Sequence, residues 1–379
     1  MCLRKIVMID TIKLTCDIEK FPNQIRFTKN QKGVIKSIFN PTKEQKSTGK
    51  YFPLITFIKQ PVRGGLRQQV QIESSIPKLL YGNNFSEVCD ADFDDVVEAL
   101  RYAIWQLDIG WQPESPLEEF RVTRIDYSKN IIFSDGTTVA QIVKLLNTSR
   151  ISKAIDVSNG EFRNGGQILH LHTGRRDIAF YDKISDLKRS KISEKRSEEK
   201  GNRCQLGLLD SLQEKSKLAV LRYEIRLNSV REIKRHLQLI KQDAEDVSFR
   251  RLFSKQISQA ILLHWWREIF RTIPKIPLDQ TTVMNQLLGL LDNPEARPQQ
   301  VLATMGALRL YGEPDFDERF VREVFDRRFK AGSWNRSKKL LLEPRAPKNL
   351  QHLLQIEQTI REMKPLKLED LLCPDENLS

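Results

Sequence analysis

The sequence is short of cysteine, of long apolar runs and of acid relative to base, and each shortage excludes something. The five cysteines (Cys2, Cys16, Cys89, Cys204 and Cys373) are scattered, odd in number and free of CxxC pairs. That argues against a disulfide framework or a zinc ribbon and for a reducing cytoplasm. No segment approaches the roughly 20 apolar residues that span a bilayer. The longest candidate, 260–266, is followed at once by Arg267 and Glu268. The first residues reach Asp10 with neither an apolar core nor a cleavage site, so no signal peptide is expected. Gly160, Gly165 and Gly166 lack the spacing of a nucleotide-binding loop. Acid is scarce: 49 Asp and Glu face 62 Lys and Arg, leaving a formal charge of +13. A surplus of that size favours a polyanionic partner, nucleic acid before an acidic membrane surface.

What is present suits a globular chain of two domains. At 379 residues, 40% hydrophobic and 29% charged, it can bury two cores. Short alternating runs at 51–59, 68–74, 120–127, 167–172, 177–183 and 220–227 read as strands, with amphipathic helices at 92–107 and 139–146. The charged stretch 183–217 reads as a solvated helix or connector. From about Ser248 the pattern is helical only, at 253–270, 283–291, 299–310 and 316–329, with proline-containing breaks between. The expected fold is α+β. An antiparallel-sheet catalytic domain with flanking helices spans 1–240, and a smaller helical domain spans 241–379.

The chemistry concentrates in 167–183. Gly174-Arg175 suits the centre of a type II′ hairpin turn, which pairs His172 with Asp177, His170 with Ala179 and Ile168 with Tyr181. Alternation then puts Leu169, Leu171, Ile178 and Phe180 on an apolar face, and His170, His172, Asp177 and Tyr181 on a polar one. Three more strands divide in the same way. They add Arg124 and Asp126, then Arg222, Glu224 and Arg226, then Gln71 and Glu73. A half-exposed sheet alternates like this without any function, but ordinary solvent faces favour Thr, Lys and Glu over paired histidines and arginine-flanked carboxylates.

Such a set suits phosphoryl transfer to tyrosine. A phenol with an ordinary pKa of about 10 is a poor nucleophile at neutral pH, so a cation or base must favour its ionised form. Carboxylates with imidazoles can hold Mg²⁺ or Mn²⁺; Asp126, Glu224, Glu73, His170 and His172 are the candidate ligands. Arginines hold phosphates by paired hydrogen bonds; Arg124, Arg175, Arg176, Arg222 and Arg226 are the candidate DNA contacts. Lys183, two residues after Tyr181, lies on the same face if the strand persists, where it can stabilise a phenolate or the pentavalent phosphorus. His264-Trp265-Trp266 reads as a core helix, and Ser333-Trp334 as the start of a capped surface helix.

At these residues the chain resembles the gene-two replication initiators of filamentous phages and their plasmid relatives, which start rolling-circle replication. The matching marks are Met8-Ile9-Asp10, Val70-Gln71-Ile72-Glu73 with the run 77–83, Thr123-Arg124-Ile125-Asp126, the run 176–183, and 220–226. They keep order and approximate spacing over 8–235. The resemblance implies that Tyr181 is the nicking tyrosine and that Asp126 and Glu224 are acidic site residues; the family's acidic residue near Glu73 aligns with Glu73 or with Gln71. His170-Leu171-His172 also matches the metal motif of a larger class of rolling-circle nucleases, so the two histidines read either as ligands or as a polar-face pair.

The expected function is origin-specific cleavage and rejoining of one strand through a 5′-phosphotyrosyl link. The expected partners are double-stranded origin DNA and single-stranded DNA, with host helicase and polymerase and a second copy of the chain as further partners, and no membrane. The expected location is the cytoplasm of a prokaryotic cell carrying the phage or plasmid. Two other classes stand beside this one: a basic, non-catalytic DNA-binding regulator, and a metal-dependent nuclease that uses water.

Overall fold

A computed structural model describes residues 8–22, 28–29, 35–42, 44–45, 48–63, 65–133, 137–147, 161–163, 168–173, 176–190, 219–271, 297–312, 317–338 and 350–367. Ten strands are found among them: β1 (Ile9–Asp17), β2 (Thr28–Lys29), β3 (Ile35–Phe39), β4 (Leu54–Val62), β5 (Gly65–Ser75), β6 (Arg121–Phe133), β7 (Glu161–Arg163), β8 (Ile168–Thr173), β9 (Arg176–Asp182) and β10 (Ala219–Leu227). They form one sheet in the order β2-β3-β4-β5-β1-β6-β10-β9-β8-β7, and every described pairing is antiparallel. The fold class is α+β, as expected.

The helices are α1 (Ile76–Tyr81), α2 (Phe93–Gln106), α3 (Val139–Asn147), α4 (Lys183–Ser190), α5 (Val230–Leu239), α6 (Phe249–Leu252), α7 (Lys255–Phe270), α8 (Pro298–Gly312), α9 (Glu318–Arg328), α10 (Ser333–Lys338) and α11 (Leu350–Glu362). Their sequences explain where they start and which side they bury. In α2, Phe93, Val96, Leu100, Ala103 and Ile104 recur at helical spacing and are buried. Ser229 caps α5 by accepting from the Glu232 amide, and Ser248 caps α6 by accepting from the Arg251 amide. Gly82 ends α1 at φ 67, a left-handed backbone that glycine adopts without strain. No described helix is long and apolar enough to cross a membrane. The expected helix at 283–291 lies outside the described residues, as does 191–217 of the charged stretch.

One face of the sheet is apolar and carries the helices. Ile12, Leu14, Ile125, Tyr127, Tyr223 and Phe180 are buried there in one core with residues of α2, α3, α5, α6, α7 and α11. Tyr127 donates to the Leu252 carbonyl at 3.1 Å and Tyr223 to the Leu262 carbonyl at 3.1 Å. Phe180 stacks on Tyr223 with centroids 4.7 Å apart, and Trp266 closes on both. The expected division at 240 falls just after α5, yet the core runs on through α7 and α11. A buried ion pair reinforces that continuity. Lys129 of β6 lies 2.6 Å from Glu87 and donates to the Lys364 carbonyl at 2.7 Å, while Glu87 accepts from the Leu366 amide at 2.9 Å. Chain beyond α11 is thereby tied to the central strand.

Candidate active site

The opposite face of the sheet is polar, and register sorts its side chains into three rows. Across β6, β10, β9 and β8, the first row runs Asn130, Arg222, Tyr181, Ile168; the second runs Ser128, Glu224, Ala179, His170; the third runs Asp126, Arg226, Asp177, His172. The hairpin pairing expected of β8 and β9 is the one found. The turn residues Gly174 and Arg175 lie outside the described residues.

Tyr181 sits where the first two rows meet. Its hydroxyl donates to Glu224 Oε2 at 3.0 Å. Arg226 Nε donates to the other oxygen of Glu224 at 2.8 Å, and Arg222 Nε lies 3.9 Å from Oε2. Arg222 also donates to Ser128 Oγ at 2.8 Å and to Asn130 Oδ1 at 3.3 Å. Its Nη2 lies 2.6 Å from Asp10. Lys183 does not continue the strand, because β9 ends at Asp182 and Lys183 opens α4. It is nevertheless buried beside the tyrosine, with Nζ 5.8 Å from the ring centroid.

Asp126 accepts both branches of the Arg124 guanidinium, at 3.1 and 2.7 Å. Arg124 also reaches Glu73 at 3.3 Å, and Lys13 lies 2.7 Å from Glu73 on the other side. Glu73 therefore belongs to the rim of the polar face, one ion pair removed from Asp126. His172 Nδ1 lies 3.0 Å from Asp177, whose second oxygen accepts from Asn228 at 3.0 Å. The rings of His170 and His172 stand edge to face, 5.2 Å apart.

Burial and charge set the ionisation of this cluster. Burial and the nearby Glu224 hold the Tyr181 phenol well above its ordinary value, with Arg222 opposing. The neutral phenol is the resting form. Burial also works against ionised Glu224, but Arg226 and Arg222 outweigh it and hold the carboxyl down at about 2. Asp126 goes the other way, raised to about 7 by burial and by the neighbouring Glu224, despite Arg124. Burial, with Arg222 adding repulsion, brings the Lys183 ammonium down to about 8. His170 is lowered by burial and by Arg226.

Two placements correct the sequence reading. Arg176, expected among the DNA contacts, is turned by strand alternation to the helical face with Ile178 and Phe180. There it is 1% exposed, lies 3.2 Å from Glu232 and stacks on Trp265 at 4.0 Å. Arg222 does lie on the polar face, but it is 2% exposed and spent on Asp10, Ser128 and Asn130. It holds the cluster together and offers no surface to a phosphate. Arg124 and Arg226 are the more open pair, with side chains 28% and 27% exposed. The helical reading of Trp265 and Trp266 holds, both being buried in α7.

Asp10 is the site residue that patterning does not single out. Between β1 and β6 the register slips between Ile9 and Thr11, so Asp10 is the extra residue of a bulge, which re-aims its side chain. Its only trace in the sequence is the Met8-Ile9-Asp10 mark.

The donor set does not fit a resident divalent cation. Asp126 and Glu224 accept from arginine, and Glu73 pairs with Lys13 and Arg124. Among the described residues no three His, Cys, Asp or Glu side chains gather into a ligand group.

A family model described as the N-terminal part of the replication-associated gene-2 protein matches residues 8–246. That span takes in all ten strands and every residue of the three rows. Neither the curated proteins nor the solved structures contain a match to the chain.

Proposed function

The chain belongs to the replication-associated gene-2 protein family, and from that premise we propose that it nicks and rejoins one strand of its replicon's origin through Tyr181. The observation that carries this reading is the Tyr181 hydroxyl donating to Glu224 at 3.0 Å, inside a buried cluster of arginine and lysine.

In the proposed step, the Tyr181 oxygen attacks the scissile phosphorus while its proton passes to Glu224. The Oη–P bond forms and the P–O3′ bond breaks. The 3′-oxygen leaves with a proton from water, ready for a polymerase to extend. The 5′-phosphotyrosyl link keeps the energy of the broken bond, so attack by a 3′-hydroxyl rejoins the strand without ATP.

A phenol held this far above its ordinary value needs help at the moment of attack. Arg226 supplies it in two ways. It is partly exposed and bound to Glu224, so its move to an incoming phosphate places a cation on the phosphorus oxygens. The same move removes the charge that keeps Glu224 a weak base. Lys183 offsets the developing phenolate charge from behind the ring. No step runs through a metal ion; cleavage that stops in EDTA would restore the Mg²⁺ or Mn²⁺ expected from the sequence.

The test is covalent capture. Labelled single-stranded origin DNA should become attached to the wild-type protein, and Tyr181→Phe should form no adduct and cleave at least about a thousand-fold more slowly. Cleavage by the Phe variant at near wild-type rate would remove Tyr181 from the mechanism. Cleavage without any adduct would favour a water-using nuclease.

A further inference from the structure

We infer that Asp10 is a positioning residue for Tyr181: it holds Arg222 away from Glu224, so that the carboxylate oxygen facing Tyr181 stays open to the tyrosine proton. The inference rests on the initiator reading above and adds what keeps Glu224 usable as the base.

The backbone interrupts regular pairing to place Asp10. Ile9 and Ile12 are both buried in the core, although they stand three apart in β1. Strict alternation cannot turn both inward, and the register slip between Ile9 and Thr11 resolves the conflict. Pairing continues on either side, with Ile9 opposite Tyr127 and Thr11 opposite Asp126, and the Ser128 amide donates to the Met8 carbonyl at 2.8 Å. The bulge is thus a local insertion in a well-formed strand, and its product is one carboxylate aimed at Arg222. Thr11 Oγ1 steadies that carboxylate, donating to Oδ2 at 3.3 Å.

The three nitrogens of Arg222 are not used alike. Nη1 donates to the Asn84 carbonyl at 3.2 Å and to Asn130 Oδ1 at 3.3 Å. Nη2 donates to Ser128 Oγ at 2.8 Å and meets Asp10 Oδ1 at 2.6 Å, in an ion pair not aligned as a hydrogen bond. Nε, 3.9 Å from Glu224 Oε2, donates to nothing among the described residues. A buried N–H about 1 Å short of a carboxylate calls for an explanation, because a charge-assisted bond is within reach of a small rotation. Of the groups on the outer nitrogens only Asp10 carries charge, so its pull is what opposes that of Glu224.

That restraint matters at the moment of attack. The Tyr181 hydroxyl donates to the same Oε2 at 3.0 Å. In the proposed step Arg226 leaves Glu224 for the phosphate, and the carboxylate becomes a better base only if no other cation replaces it. Arg222 Nε, at 3.9 Å, is placed to do so. Held by Asp10 it stays back, and Oε2 is left to the tyrosine. The charge of Asp10 by itself works the other way: after burial and Glu224, it is among the groups that hold the Tyr181 phenol up. Removing Asp10 would speed cleavage if only its charge counted, and slow it if its hold on Arg222 counts.

The test uses the full chain and a labelled, unpaired origin strand of the replicon that encodes it. Asp10→Asn keeps the shape and removes the charge. It should cleave at least about ten-fold more slowly, the scale expected when a reacting group is displaced by about 1 Å. Affinity for the strand, measured with Tyr181→Phe added to stop cleavage, should stay within about two-fold. The slowing should depend on Arg222: in a chain that carries Arg222→Gln, adding Asp10→Asn should change the rate by no more than about two-fold. Cleavage by Asp10→Asn at or above the wild-type rate overturns the inference. A loss of the same size in the Arg222→Gln chain also overturns it, since Asp10 would then be merely structural. Ser128→Ala removes a neutral bond from the same Nη2 and should slow cleavage about two- to five-fold. It decides where Asp10→Asn or Arg222→Gln does not fold, a wild-type rate again overturning the inference. A wild-type protein that forms no adduct on this strand defeats the initiator reading and the inference with it; an intact adduct with a fast Asp10→Asn defeats the inference alone.

Discussion

The two faces of the central sheet each set tyrosine against a hydrogen-bond acceptor, and they differ in what that acceptor is. On the helical face, Tyr127 and Tyr223 donate to main-chain carbonyls of Leu252 and Leu262. Burial holds both phenols above their ordinary value, with Arg251 opposing it at Tyr127. On the polar face, Tyr181 donates to a carboxylate flanked by two arginines, with a lysine behind its ring. A carbonyl cannot take the proton and a carboxylate can. Residue type is shared across the faces, while Tyr181 is partly buried and Tyr127 and Tyr223 are fully so; reactivity follows from the neighbours and from that access.

Phenylalanine at the three positions sharpens that contrast most. Tyr181→Phe should lose cleavage while losing no more than about 1 kcal/mol of stability, because Glu224 keeps Arg226 and Arg222. Tyr223→Phe and Tyr127→Phe should keep cleavage and lose about 1 kcal/mol of stability, since each gives up one buried hydrogen bond to a carbonyl. A Tyr223→Phe variant that is stable but unable to form the adduct would break the comparison.

The same contrast runs within the polar face, between Glu224 and Asp126. The arginines hold the Glu224 carboxyl low, so its charge stabilises the fold: the contribution is present above its ordinary value of 4.5 and is lost as pH falls toward about 2. Asp126 is raised to about 7, so its contribution has the opposite sign. Between 3.8 and about 7 the folded chain binds the extra proton, and stability falls as pH rises. Glu224→Gln should therefore cost about 3 kcal/mol or more at pH 7, leaving Arg222 and Arg226 without their shared partner. Asp126→Asn should lie within about 1 kcal/mol of wild type, because the neutral side chain resembles the form the site already favours. Glu73→Gln, at the exposed rim, should cost about 1 kcal/mol or less. Chemical denaturation at pH 7 orders the three; equal losses for Glu224 and Asp126 would remove the distinction.

Much of this is legible in the sequence, for identifiable reasons. Gly174-Arg175 and strict alternation are enough to place His172 opposite Asp177 and Ile168 opposite Tyr181, because hairpin register follows from turn length and a period of two. The same alternation brings Arg222, Glu224 and Arg226 to one face. It fails where the backbone departs from it. Asp10 reaches Arg222 from a bulge, and Lys183 lies beside Tyr181 from a helix start rather than a strand. Arg176 follows Arg175 at the turn and so reads as its companion, although its even number in β9 sends it to Trp265. Nor does helical periodicity say what an apolar stripe will pack against. The α7 stripe is readable, but its burial against the sheet, together with that of α11, depends on contacts such as Lys129 with Glu87 and the Lys364 carbonyl, the latter more than 200 residues away in the chain.

The smallest expected effect concerns Lys183, and it asks whether the cation behind Tyr181 contributes as a charge. Its ammonium is lowered from 10.5 to about 8. Between those values the unfolded chain binds the proton and the folded chain does not, so this group alone makes stability rise with pH across that window; below about 8 its full desolvation cost is present. Cleavage should show the reverse trend. If the charge offsets phenolate formation, its benefit fades as pH rises through about 8, and at pH 9 only about one lysine in ten stays protonated. Lys183→Arg keeps a cation at every accessible pH. Tyr181 itself ionises more readily as pH rises, but equally in both proteins. The informative quantity is therefore the ratio of the variant's rate to that of wild type, which should climb about ten-fold between pH 7 and pH 9, whatever its starting value. A flat ratio would mean that Lys183 packs against the ring without acting as a charge. A ratio falling above about pH 8 would mean that the neutral amine takes the tyrosine proton in place of Glu224.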